Sequence, residues 1–301
     1  MKKWIKSKLN ELPHIRSLYQ ENIRWKSYSK VPPGHFYSPI VNIPEIKEKE
    51  DIIWNDEVSS VDGINLETEE QLLLLKQFSR YYDELPFKKN KTEGLRYYFE
   101  NTFYSYTDAI ILYSFIRHYK PKKIIEMGSG FTSALMLDVN ELFFENEIAL
   151  KFIEPYPNRL LSLMKDGDNG DDKLIEINAQ DLDLEIFKSL EKGDILFVDS
   201  THVVKTGSDV NYILFSILPI LKKGVLIHFH DIFFPFEYPK KWVYGGHNWN
   251  ETYILRAFLM NNNTFKIKIF SHFIHTFHKT AFKDMPLSYN NTGGNIWIEK
   301  V

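Results

Sequence analysis

Ile124-Ile-Glu-Met-Gly-Ser-Gly-Phe-Thr-Ser133 is an apolar run that breaks into Glu126-x-Gly128-x-Gly130 and then passes into a helical pattern. A second apolar run ends on Phe152-Ile-Glu-Pro155. Strand, glycine turn, helix, strand and acid, in that order, are how a nucleoside-bearing cofactor is held on a parallel sheet. The glycines let the backbone come close to the ligand. Glu154, 24 positions after Gly130, is placed to accept hydrogen bonds from ribose hydroxyls.

Two cofactor classes use such a turn. Nicotinamide and flavin enzymes favour Gly-x-Gly-x-x-Gly, whose glycines admit a pyrophosphate to the helix N-terminus. Here Ser133 takes the third glycine position, and Glu126 stands two residues before the first glycine. A carboxylate there repels a pyrophosphate but suits the cationic amino group of S-adenosylmethionine, which has no phosphates. At these residues the chain resembles the class I S-adenosylmethionine-dependent methyltransferases, whose first motif is Glu/Asp-x-Gly-x-Gly; Thr132 stands where many members have a further glycine. The resemblance implies S-adenosyl-L-methionine as cofactor, held by Glu126, Gly128, Ser129, Gly130, Thr132, Ser133 and Glu154. A nicotinamide-dependent oxidoreductase is the rival enzyme class. A non-catalytic cofactor-binding or scaffold protein is the rival outside enzymology.

From residue 123 strands and helices alternate. Strands are expected at 123–127, 150–154, 173–177, 194–199 and 224–230, with helices at 131–145, 156–165, 183–191 and 208–222. That alternation predicts an α/β, doubly wound Rossmann-like sheet. The tail differs: 265–273 and 295–299 read as two strands joined without a helix through Asn290-Asn-Thr-Gly-Gly294, an antiparallel hairpin. A mostly parallel sheet with a reversed last strand is what the methyltransferase resemblance implies. Before the sheet, helices are expected over 68–83 and 108–118, the latter ended by Lys120-Pro121. The division expected is an N-terminal helical and extended arm over 1–92, serving as substrate cover or dimerisation element, and a cofactor-binding domain over 93–301.

Composition narrows the class. At 301 residues and 44% hydrophobic the chain can bury a full core. A net charge of −3 provides no basic field, so nucleic acid is not expected as a partner. The absence of cysteine excludes disulfides, thiolate metal sites and cysteine nucleophiles, and agrees with a cytoplasmic location. No apolar run reaches membrane-spanning length. Residues 1–24 read as a basic amphipathic helix built on Trp4, Ile5, Leu9, Leu12, Ile15 and Leu18, docked on its own domain, on a second copy in a homodimer, or on an anionic surface.

Ligands of open α/β sheets bind outside the carboxyl ends of the strands. After the third strand stand Gln180 and Asp181; Asp181 either meets the adenine amino group or caps the following helix. After the fourth comes Asp199-Ser-Thr-His202, and after the fifth His228-Phe-His230-Asp231. Ionisable groups following buried strands need partners or a purpose. The resemblance to metal-assisted O-methyltransferases of the catechol type implies Asp199, His230 and Asp231 as ligands of a divalent metal, Mg²⁺ or Mn²⁺. Imidazole is a poor Mg²⁺ ligand and suits Mn²⁺, Zn²⁺ or Fe²⁺ better. Without metal, His202 or His230 serves as general base. The remaining alternative is a structural pairing of Asp199 with His230. Tyr106, within the 104–108 segment, is expected to flank the methionine end of the cofactor.

His35-Phe-Tyr-Ser-Pro39, Asp199-Ser-Thr-His-Val203, Gly207-Ser-Asp209, the stretch from His228 to Pro239 and Trp249-Asn-Glu-x-Tyr253 together resemble a bacterial group of uncharacterised class I methyltransferases. The likeness runs from about residue 35 to 301 and implies fold and cofactor. The acceptor expected is a small hydroxylated molecule, a sugar unit of a glycan or a secondary metabolite, methylated on oxygen. Residues 233–249 read as a long aromatic loop in which Trp242, Tyr244, His247 and Trp249 offer stacking faces to it. Three signals are discounted. Asp166-Gly-Asp-Asn-Gly-Asp-Asp172 lacks the glycine a calcium loop requires at its sixth position. His272, His275 and His278 sit on or after an expected strand, where residues three apart face opposite sides. Asn250-Glu-Thr252 is too common a grouping to mark a catalytic triad.

Overall fold

A computed structural model describes residues 4, 8–9, 12–55, 57–168 and 173–301. The chain falls into two compact units, one of residues 1–55 and 240–248, the other of 56–239 and 249–301. In the first unit a helix spans Pro13–Tyr28, continuing past the expected end at 24, and shorter helices span Ile43–Glu48, Glu50–Ile53 and Lys240–Tyr244. Glu50 fastens the last two together by bonding Lys240 Nζ and Tyr244 Oη, and Trp54 meets the Tyr244 ring edge-on at 5.8 Å. Ile5 lies outside the described residues, as do 169–172 of the discounted calcium-like stretch. No described helix is long and apolar enough to cross a membrane.

The second unit holds the sheet. Its helices are α1 (Thr68–Phe78), α2 (Tyr106–Tyr119), α3 (Phe131–Phe144), α4 (Asn158–Leu163), α5 (Glu185–Lys188), α6 (Asp209–Tyr212), α7 (Glu251–Leu259) and α8 (Ser271–Phe277). Its strands are β1 (Lys123–Met127), β2 (Ala149–Ile153), β3 (Leu174–Ile175), β4 (Ile195–Val198), β5 (Leu226–His230), β6 (Phe265–Phe270) and β7 (Asn295–Lys300). They pair in the order β3-β2-β1-β4-β5-β7-β6. β1 to β5 are parallel, and β7 runs antiparallel to both of its neighbours, which is the reversed last strand expected. Strands covered on both faces read as unbroken apolar runs rather than alternating ones. Ile195-Leu-Phe-Val198 is such a run, and all four residues are buried.

Three expectations are corrected. β6 and β7 do pair antiparallel, but no hairpin joins them: α8 and two 3₁₀ turns, Lys279–Phe282 and Pro286–Asn290, lie between. His272 and His275 are therefore one helical turn apart on α8, not on a strand. The helix expected over 208–222 is segmented, with α6 followed by a π turn over Ile213–Ile217 and a short helix over Leu218–Ile220. Pro219 lacks the N–H that a regular helix would bond four residues back, so the chain takes a wider turn there. The stretch 233–249, expected as loop, contains the helix Lys240–Tyr244.

Candidate functional site

Gly128 closes β1 with φ of +85°, a conformation that glycine adopts without a steric penalty. A Cβ there would lie 1.9 Å from the Asp199 carbonyl oxygen, so the ends of β1 and β4 touch through the missing side chain. Both backbones are pinned: Gly128 N donates to Ile153 O at 3.0 Å, and Asp199 N donates to Met127 O at 2.8 Å. The next amide, Ser129 N, donates to Glu154 Oε2 at 3.1 Å, and Tyr156 N donates to Glu154 Oε1 at 2.8 Å. Those bonds orient Glu154 while leaving each oxygen a lone pair for a hydroxyl. Gly130 N donates to Ser133 Oγ at 3.1 Å, and Ser133 Oγ in turn bonds buried Glu126. Burial pushes the Glu126 carboxyl up to about 8, against the Ser133 and Thr132 hydroxyls that favour its anion.

Around this turn Glu126 Oε1, Ser129 Oγ and the Tyr104 hydroxyl are buried without a hydrogen-bond partner. A buried polar atom left unpaired costs about 1–3 kcal/mol. Three together, beside a backbone that only glycine permits, fit a polar ligand seated at the turn, and the anion-forming Glu126 fits a cationic group on it. In front of the turn lies a cleft of about 320 Å³. Gly128, Glu154, Tyr156, Asn178, Gln180 and Asp199 are among its lining residues. Thr132 and Ser133 are buried behind it. Two expected residues stand elsewhere. Asp181 does not line the cleft; it accepts from Asn178 Nδ2 at 2.9 Å, and it is Asp183, not Asp181, that accepts from the backbone at the start of α5. Tyr106 lines a different cavity, stacks on Phe99 at 5.1 Å and donates to Glu100 Oε1 at 2.6 Å.

Strand register brings the acid–imidazole cluster together. Phe197 of β4 pairs with His228 of β5, so residues two further along each strand, Asp199 and His230, meet on one face. His230 Nδ1 is 3.4 Å from Asp199 Oδ1 and 3.6 Å from Asp231 Oδ2. From the loop after β4, His202 Nε2 comes within 3.3 Å of Asp199 Oδ1 and 3.6 Å of Asp231 Oδ2. His202 and Asp231 both hold left-handed backbone, at φ of +59° and +57°, a conformation that non-glycine residues keep where their surroundings over-determine it. Asp209 secures the His202 loop by accepting from Thr201 N at 2.9 Å and Thr201 Oγ1 at 2.6 Å.

Charge in the cluster is balanced by protons. Burial disfavours the His230 cation, but the Asp231 and Asp199 carboxylates outweigh it and lift its pKa to about 9. Burial likewise works against a charged His202, yet hydrogen bonds to Asp199 and Glu251 hold it well above the usual imidazole value. Asp199 is kept well below the carboxylate range, since His230 and His202 overcome its burial. Asp231 is pushed up to about 6 by burial, against the pull of both imidazoles.

The donor atoms of Asp199, His230 and Asp231 all lie within 4.8 Å of one another. Two ligands bound to one ion at about 2.1 Å stand roughly 3.0–3.4 Å apart at octahedral or tetrahedral angles. The observed 3.4 and 3.6 Å come near that spacing. A nitrogen and two carboxylates suit Mn²⁺, Zn²⁺ or Fe²⁺ better than Mg²⁺.

Sequence reading missed Glu251. Within Asn250-Glu-Thr252 its carboxylate is buried, and Oε2 lies 2.8 Å from His202 Nδ1. The available signal is Trp249-Asn-Glu itself, an acid two positions after an aromatic loop residue. Of the aromatic residues expected to offer faces, Trp249 lies 4.4 Å from the His202 ring, whereas Trp242 stacks on His247 at 5.6 Å. His275 Nε2 is 3.1 Å from Thr107 Oγ1, and no metal cluster among the described residues includes His272, His275 or His278.

A family model described as a methyltransferase domain matches residues 125–232. An uncharacterised protein of Archaeoglobus fulgidus is 37% identical over 171 residues, covering 54% of this chain and 75% of that protein. Among solved structures, a SAH-bound methyltransferase from Podospora anserina is similar at 17% identity and a TM-score of 0.41, covering 81% of this chain and all of that one. A SAM-dependent methyltransferase from Archaeoglobus fulgidus is similar at 12% identity and a TM-score of 0.34, covering 64% of this chain and 94% of that one.

Proposed function

The chain carries a methyltransferase domain over residues 125–232, and from that premise we propose that it is a class I S-adenosylmethionine-dependent enzyme that methylates a hydroxyl oxygen of a small acceptor, a sugar unit of a glycan or a secondary metabolite. The observation that carries this reading is the gathering of two carboxylates and two imidazoles beside the cleft, each within 3.6 Å of another member. An amine presents a lone pair once it is neutral. A hydroxyl must lose its proton as it reacts, and it therefore needs a base and a counter-charge at the point of attack.

In this reading Glu126, Gly128, Ser129, Gly130, Thr132, Ser133, Glu154 and Gln180 hold S-adenosylmethionine, which supplies an electrophilic sulfonium methyl. Glu154 accepts from the ribose, and the Glu126 carboxylate faces the cationic amino group. Asp199, His230 and Asp231 would hold a divalent cation, which would supply positive charge to offset the acceptor oxygen as it loses its proton. Imidazole binds a metal only when neutral, so His230 would have to be neutral to serve as a ligand. With Asp199 committed to the cation, less negative charge would hold a proton on His202, and its neutral Nε2 then accepts the acceptor's proton.

The reading is tested with S-adenosylmethionine labelled in its methyl group, presented with Mn²⁺ to a panel of sugars and phenols. The expected product is a methyl ether, and His202→Ala should lower its rate by about 10²–10⁴ while leaving affinity for S-adenosylhomocysteine unchanged. Label recovered on nitrogen or carbon, or full turnover by His202→Ala, would contradict it. Hydride transfer from a nicotinamide cofactor would restore the oxidoreductase reading.

A further inference from the structure

Glu251 opens α7 and is only 1% exposed. Burying a carboxylate is expensive unless partners compensate it, and an apolar side chain of the same volume often serves stability as well or better. Both of its oxygens are committed to the loop after β4. Oε2 is 2.8 Å from His202 Nδ1, and Oε1 accepts from Ser200 Oγ at 3.1 Å. The same turn clamps the backbone, since Asn250 N and Glu251 N donate to the His202 carbonyl at 3.0 and 3.1 Å. Asn250 Oδ1 accepts from Val204 N at 2.5 Å, and the Trp249 ring lies beside the imidazole at 4.4 Å. Residue 202 is thus held from three sides in a left-handed conformation, with Nε2 toward Asp199 and Asp231.

We propose that Glu251 is a positioning residue for His202: its carboxylate accepts a hydrogen bond from Nδ1–H and so commits Nε2 to the acceptor. The inference rests on the O-methylation reading. In the transfer, the acceptor O–H proton goes to His202 Nε2 and the oxygen pair forms the bond to the methyl carbon. The carbon–sulfur bond breaks with its pair going to sulfur, which leaves a neutral thioether. Glu251 steadies the imidazolium so formed, and that proton then passes to water.

The test uses full-length protein labelled with ¹⁵N-histidine. A strongly deshielded Nδ1–H proton resonance, assigned to His202 by its loss in His202→Ala, is expected in the wild type. It should vanish in Glu251→Leu and move upfield in Glu251→Gln, which keeps the hydrogen bond without the charge. Turnover should fall about 10–100-fold in Glu251→Leu, with Glu251→Gln intermediate. Acceptor KM and S-adenosylhomocysteine affinity should stay within about threefold of wild type. A resonance unmoved in both variants, or a Glu251→Leu protein with wild-type turnover, would overturn the proposal. Should Glu251→Leu fail to fold, Glu251→Gln carries both readouts. The resonance needs no acceptor, so failure of the O-methylation reading shows separately, as label recovered on nitrogen or carbon while the resonance still responds to Glu251→Gln.

Discussion

Replacing Gly128 with alanine is expected to abolish cofactor binding and to lower the melting temperature by roughly 8 °C or more. Two effects combine at this position. The backbone sits at φ of +85°, where a Cβ costs about 1–2 kcal/mol. The added methyl would also lie 1.9 Å from Asp199 O and 2.9 Å from its carbonyl carbon, both backbone atoms that cannot rotate away. Overpacking of that kind typically costs about 1–3 kcal/mol more. Relief requires β1 and β4 to part at their carboxyl ends, which moves Asp199 away from His202 and His230. Gly94→Ala separates the two contributions, because Gly94 has a similar φ of +82° and an added Cβ there meets nothing within 4 Å. It should melt within a few degrees of wild type and bind S-adenosylhomocysteine normally. Thermal melts and calorimetric titrations of the two variants check this; equal behaviour would show that the close approach at Gly128 does not shape the site.

Glu126→Gln is expected to stabilise the cofactor-free protein in alkali and to weaken it as a cofactor receptor. The folded-state pKa of Glu126 is raised from 4.5 to about 8, chiefly by burial. For an acid raised in this way, stability is highest below pH 4.5 and is lost as pH climbs through about 8, because the folded protein must then hold a buried anion. The loss across that window is roughly 3–5 kcal/mol. Glutamine removes the charge and still accepts from Ser133 Oγ. The variant should therefore melt roughly 5–10 °C above wild type at pH 9, with no such gain at pH 5. Its affinity for S-adenosylhomocysteine should fall about 10–100-fold, the loss of one charge-assisted hydrogen bond. A variant with unchanged affinity, or with no pH-dependent gain, would separate Glu126 from the cofactor's amino group.

The proposed cofactor half of the site is legible in the sequence because its signals are local. Glu126, Gly128, Gly130 and Glu154 follow one another through a single strand–turn–helix–strand passage, and each conformation there depends on near neighbours. Asp199 and His230 were legible as strand-end residues, and register then places them side by side. Glu251 was not, because its partner is 49 positions away and the bond exists only once α7 docks on the loop after β4. The expected end of β6 failed for a different reason. Phe270, Phe273, Ile274 and Phe277 fit helical spacing, while 265–273 also alternates. The helix wins where Phe273 and Phe277 both pack on Phe234, at 5.1 and 5.5 Å between ring centres. Asp181 stands at the strand end expected, where it accepts from Asn178 Nδ2 outside the lining of the cleft.

Calorimetric titration with S-adenosylhomocysteine, of wild type and of Glu154→Ala, tests the cofactor site most directly. Micromolar binding by the wild type is expected, weakened about 10–100-fold in Glu154→Ala by loss of the ribose hydrogen bonds. A folded wild-type protein that gives no heat with S-adenosylhomocysteine, with or without Mn²⁺, and binds NADH instead would contradict the account.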